Sequence, residues 1–118
     1  MTIRRMKTYT GEQGYVYQYY FVGKRASSRE GGLESEYIFD VTSDRKTTYA
    51  VSIVLPENLL ADWAAVHGRQ LNDAEQYGAV KMRLFQGFDE IEDMMANGRR
   101  LEIDAAVLEA ALTRLGVA

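Results

Sequence analysis

The chain has 118 residues, 47% of them hydrophobic and 26% charged, enough to enclose one core without metal or disulfide support. It carries no cysteine, which removes disulfides, thiolate nucleophiles and cysteine-ligated zinc or iron–sulfur sites, and suits a reducing compartment. The formal net charge of -3 argues against whole-molecule attraction to nucleic acid or to an anionic membrane.

No apolar run approaches the roughly 20 residues that span a bilayer. The opening residues, MTIRRMKTYT, have cations but not the apolar stretch of a secretory signal. One cytoplasmic domain over residues 1–118, without membrane association, is the expectation. Charge is uneven along it: residues 1–50 carry 8 Lys+Arg and 6 Asp+Glu, and residues 51–118 carry 6 and 11.

Residues 15–22 are β-branched or aromatic except Gln18, the composition of a strand. Alternation sets Tyr15, Tyr17, Tyr19 and Phe21 on one face and Val16, Gln18, Tyr20 and Val22 on the other. Residues 3–9 are the candidate partner strand, across a turn at 11–14. Residues 23–33, GKRASSREGGL, read as a loop, with three glycines, two serines and mixed charge. Residues 36–42 and 47–55 then alternate cleanly around a polar connection, which predicts a hairpin. Its core face carries Tyr37, Phe39 and Val41 against Tyr49, Val51, Ile53 and Leu55.

Pro56 suits the first turn of a helix, where Leu59, Leu60, Trp63, Ala64 and His67 recur at helical spacing before Gly68 stops it. Asn72, with Glu75 three residues on, predicts a capping box. The helix it opens runs to Asn97 and Gly98, with Gly78 and Gly87 inside it as points of close packing or bending. Residues 99–103, RRLEI, read as a short edge strand. Asp104 caps a last helix whose buried face is Leu108, Ala111, Leu112 and Leu115. The expected architecture is α+β: an antiparallel sheet of three to four strands in the N-terminal half, with about three helices from the C-terminal half packed on one face.

The chemistry narrows mostly by exclusion. Neither GxxxxGK[ST] nor GxGxxG is present, no Ser sits in a GxSxG elbow, and His67 is the only histidine. A packing or capping role for His67 follows from Trp63 four residues before it and Gly68 after it. An enzyme is therefore the minority reading, and no cofactor is implied.

The leading expectation is a protein-interaction module, a homodimer or an accessory subunit. If helices cover only one side of the sheet, Val16, Tyr20, Val22, Ile38 and Val54 leave an apolar patch on the other. The alternative is single-stranded nucleic-acid or phosphorylated-ligand binding through Lys24, Arg25, Arg29, Arg45 and Lys46, all in predicted strand connections. A third reading takes Asp89, Glu92 and Asp93, on one face of the long helix, as carboxylates for a divalent cation or acid–base work. Their place near a helix C-terminus calls for nearby cations, for which Arg99 and Arg100 are the candidates.

Overall fold

The structure, a computed structural model, describes residues 6–29 and 32–117. The fold is α+β. A five-stranded sheet has the order β1-β2-β3-β4-β5, with β1 Lys7–Thr10, β2 Val16–Arg29, β3 Gly32–Thr42, β4 Tyr49–Pro56 and β5 Arg100–Glu102. The first four strands form an antiparallel meander, and β5 joins β4 in parallel. A parallel neighbour requires a crossover of a dozen residues or more. Helices α1 Glu57–His67, α2 Asp73–Glu90 and α3 Met94–Asn97 supply it, and α4 Ala105–Arg114 follows β5.

The alternating hairpin forms in the expected register, with Tyr37 opposite Ile53, Phe39 opposite Val51 and Val41 opposite Tyr49. The expected loop at 23–33 is strand wherever its residues are described. β2 runs on to Arg29 and β3 begins at Gly32, so these residues are the two arms of a hairpin. Polar arms of this kind lack apolar alternation, and their backbone pairing carries them. The upstream strand is present from Lys7, while residues 3–5 of that expectation lie outside the described residues.

A bulge between Phe21 and Gly23 leaves Val22 without a partner in the register. An extra residue shifts everything after it to the opposite side of the pleat. Before the bulge Tyr17, Tyr19 and Phe21 face the helices. After it Lys24, opposite Tyr37, faces them, and Arg25, opposite Glu36, faces away.

Aromatic stacking binds α2 to the sheet. Phe88 lies flat on Tyr17 at 4.2 Å, Phe85 lies flat on Tyr9 at 4.3 Å, and both meet Tyr19. Fully burying a ring such as Phe88 contributes about 1.5–3 kcal/mol. Helix α1 inserts Trp63 into the same core and ends at Gly68 in the left-handed conformation. The capping box at Asn72 forms as expected, Asn72 accepting from the Glu75 amide and Glu75 from the Asn72 amide. Asp104 caps α4 through the Val107 amide.

The long helix stops at Glu90 rather than Asn97. Ile91 is extended, and Asp93 opens the separate turn α3 by accepting from the Ala96 amide. Packing explains both interior glycines: a Cβ on Gly87 would lie 2.7 Å from Leu101, and one on Gly78 would lie 2.9 Å from Leu115. Among the described residues no helix is long and apolar enough to cross a membrane.

Candidate functional site

Every buried apolar side chain except Val54 belongs to one cluster between the sheet and its helices. The opposite face of the sheet carries Val16, Gln18 and Tyr20 from β2, Ile38 and Asp40 from β3, and Ala50 and Ser52 from β4. Among the described residues no helix lies over it. Val16 and Val22 remain 47% and 42% exposed, whereas Tyr20 and Ile38 are half-buried. The Tyr20 hydroxyl donates to Asp40 Oδ2 at 2.6 Å, which holds the phenol ring along the sheet.

Val54 differs from the other four positions of the expected patch. It is only 1% exposed, because its register neighbours are Glu36 on β3 and Glu102 on β5. The stems of such side chains cover apolar surface while their heads stay polar. The apolar part of the open face is therefore Val16, Tyr20, Val22 and Ile38.

Beside it stands a rank of charges assembled from three strands. Glu34 and Glu36 are 8% and 6% exposed, unusual values for carboxylates on a face that no described helix covers. Arg25 Nε donates to Glu36 Oε1 at 2.6 Å, and Arg100 Nη2 donates to Glu34 Oε1 at 3.0 Å. Arg100 also lies 4.0 Å from Glu36 and 3.9 Å from Glu102, and the Ser27 hydroxyl donates to Glu34 at 3.1 Å. Hydrogen bonds from Arg25 and Ser52 hold the Glu36 carboxyl below its usual range, against the upward push of burial. Alternation alone places Glu34 and Glu36 on one face, but Arg100 lies 66 residues from Glu34 and reaches it only through the crossover to β5.

Of the five cations of the nucleic-acid reading, the four whose side chains are described do not gather. Lys24 and Arg25 point to opposite faces of β2, and the backbone of Arg29 pairs with Gly32 at the hairpin tip. Arg45 and Lys46 lie in the turn at the other end of β3, about 30 Å away at 3.3 Å per residue. That turn is closed by Asp44, which accepts from the Lys46 and Thr47 amides and the Thr42 hydroxyl.

The three acidic residues separate as well. Asp89 accepts from the Tyr9 hydroxyl at 2.9 and 3.0 Å and from the Glu12 amide at 3.0 Å, Asp93 caps α3, and Glu92 is exposed between them. No three His, Asp or Glu side chains among the described residues converge as metal ligands. Arg99 and Arg100 turn to the Ala50 carbonyl and to Glu34 instead of the acidic run. His67 stacks on Trp63 at 4.1 Å and bonds the Trp63 carbonyl through Nδ1, the packing role its spacing predicted. Comparison with family models, curated proteins and solved structures finds no match for the chain.

Proposed function

We propose that the chain is a non-catalytic interaction module, resident in the cytoplasm, that pairs with a second copy of itself through the open face of its sheet. The observation that carries this reading is the apolar group Val16, Tyr20, Val22 and Ile38 on a face that no described helix covers. Water in contact with two half-exposed valines is released when a complementary surface lands on them. A two-fold axis through the group makes the surface its own complement, since each copy then presents the same apolar centre and the same charged flank.

The dimensions suit a reversible dimer. From Val16 to Arg25 along β2 is about 30 Å, and the three strands β2–β4 are about 10 Å across, a footprint below the ~800 Å² per partner of stable complexes. Dissociation is accordingly expected at micromolar concentration. Sedimentation equilibrium from about 1 to 200 µM tests this, a range that brackets a micromolar constant. The mass should rise toward twice the chain mass, and Ile38→Glu, which adds a charge to the centre of the face, should hold it at one. A wild-type monomer at the upper concentration, or association that survives Ile38→Glu and Val16→Glu, would refute the proposal.

A further inference from the structure

The helix-bearing side of the sheet holds a second feature, along the seam where α2 crosses β2. Lys7 stands opposite Tyr19 in the β1–β2 pair, two residues before Tyr9, whose ring stacks on Phe85. From α2, Lys81 brings its ammonium to 5.9 Å from the Tyr19 ring centroid, 5.8 Å from Tyr77 and 5.7 Å from Phe85. Farther along β2 the bulge turns Lys24 onto this side, where its ammonium lies 5.3 Å from the Tyr37 ring. Between these cations Phe21 meets Tyr77 edge-on at 5.2 Å and stays 39% exposed, an aromatic ring half open to solvent.

Among the described residues the charges of this seam are not balanced. Among the described residues no carboxylate forms an ion pair with Lys7, Lys24 or Lys81, although most of the cations on the open face are paired. The Lys81 side chain is half-buried beside Tyr19, the residue opposite Lys7 in the register, and burial first, then the charge of Lys7, lowers its pKa. Two adjacent ammonium groups without a counter-ion repel each other, and a multiply charged anion between them removes that repulsion. A phosphate group, with several acceptor oxygens and up to two charges, matches a pair of lysines better than a single carboxylate does.

We propose that this seam binds a nucleoside phosphate, free or within a single strand. Lys7 and Lys81 grip the phosphate, and the exposed ring of Phe21 stacks on the base. Lys24, about 15 Å along β2 from the Lys7–Tyr19 pair, meets a second anionic group. This site is on the opposite side of the sheet from the dimerisation face, so either proposal stands or falls without the other.

Amide chemical-shift mapping of the full chain tests it with three probes: inorganic phosphate, a nucleoside monophosphate and a single-stranded oligonucleotide of about ten nucleotides. The monophosphate should move the amides of Phe21, Tyr77 and Lys81, and Lys81→Gln should weaken its binding at least about fivefold, the loss expected when one charged contact is removed. Lys46→Gln, in the distant β3–β4 turn, should leave it unchanged. With two phosphate contacts, raising salt from about 50 to 200 mM should weaken oligonucleotide binding about sevenfold. Tighter binding of the oligonucleotide than of the monophosphate assigns the ligand to a strand, and equal binding assigns it to the free nucleotide. Should Lys81→Gln fail to fold, the exposed Lys24→Gln variant reads the same loss through the oligonucleotide. No shift at about 10 mM monophosphate, where even a millimolar site is filled, overturns the proposal. So does inorganic phosphate binding as tightly as the nucleotide, since the ring would then contribute nothing.

Discussion

Arg100→Met tests whether the rank of charges on the open face stabilises the fold. The substitution keeps much of the apolar stem that lies over the sheet and removes the guanidinium 3.0 Å from Glu34 and 4.0 Å from Glu36. Breaking a fully buried ion pair costs about 3–5 kcal/mol, because the remaining charge stays buried. An exposed pair costs about 0.2–1 kcal/mol. Arg100 is 33% exposed and the two carboxylates are nearly buried, so the expected loss lies between these limits, about 2 kcal/mol. For a domain of this size that lowers the melting temperature by about 8 °C.

Urea unfolding followed by circular dichroism at about 1 µM keeps association out of the measurement. The loss should also depend on pH. Glu36 has a folded-state pKa held below its ordinary value, chiefly by the hydrogen bond from Arg25, then by Ser52, with Arg100 adding to it. A depressed carboxyl contributes stability above its unfolded pKa and loses it as pH falls through the folded value. The gap between wild type and Arg100→Met should therefore be full at neutral pH and shrink below about pH 4. A loss under about 0.5 kcal/mol, or one that stays constant from neutral pH into acid, would refute the reasoning and mean that water replaces the guanidinium.

Two glycines of the N-terminal half should respond oppositely to alanine. A Cβ on Gly11 would lie 2.6 Å from the Phe88 carbonyl oxygen, a backbone atom that the α2–β1 stacking holds in place, so Gly11→Ala should cost about 1–3 kcal/mol. Gly23→Ala meets open space in the middle of a strand and should be neutral or stabilising by about 0.5 kcal/mol, and urea midpoints compare the two directly. Asn72→Ala removes the N-cap of α2 and should cost about 1 kcal/mol by the same assay. The Glu75 carboxyl is pulled to about 2, first by the paired bonds to Arg69 at 2.7 and 2.9 Å and then by the Asn72 amide. Its contribution is thus present above the ordinary carboxyl range and lost as pH falls toward 2, which a carboxyl-carbon NMR titration would follow. Tyr9→Phe keeps the ring stacked on Phe85 but deletes the bonds to Asp89, with an expected cost of about 1.5–2 kcal/mol. In the wild type the Tyr9 hydroxyl should titrate near 12, raised by burial and then by Asp89, in an ultraviolet titration.

Signals that act within one element were legible in the chain. The hairpin of β3 and β4 follows from strict alternation of its apolar residues, and its register follows from that alternation. The caps at Asn72 and Asp104 and the stop at Gly68 are local hydrogen-bonding devices whose partners lie within four residues. Two elements were misread for one physical reason. The arms of the β2–β3 hairpin near Ser27 and Glu34 gain their order from each other's backbone rather than from an apolar pattern. The end of α2 at Glu90 follows from Asp93 capping α3 and from Met94 packing against Gly87, although the apolar spacing itself continues to Met95.

The candidate surfaces divide in the same way. Residue order alone determined that Tyr17 and Tyr19 share a face, and that Val16 and Tyr20 share the other, because a strand has a period of two. It also placed Ile38 on that second side, by the same alternation in β3. Only the tertiary structure decided that no described helix covers the face, that Arg100 crosses to reach Glu34, and that Val54 is buried beside Glu36 and Glu102. The bulge at Val22 had the largest effect: it sent Lys24 toward the aromatic seam and Arg25 toward Glu36, so that two adjacent cations serve different surfaces. Such outcomes depend on long-range register and crossover, for which the energy comes from packing elements far apart in the chain, and no local pattern of residues encodes them.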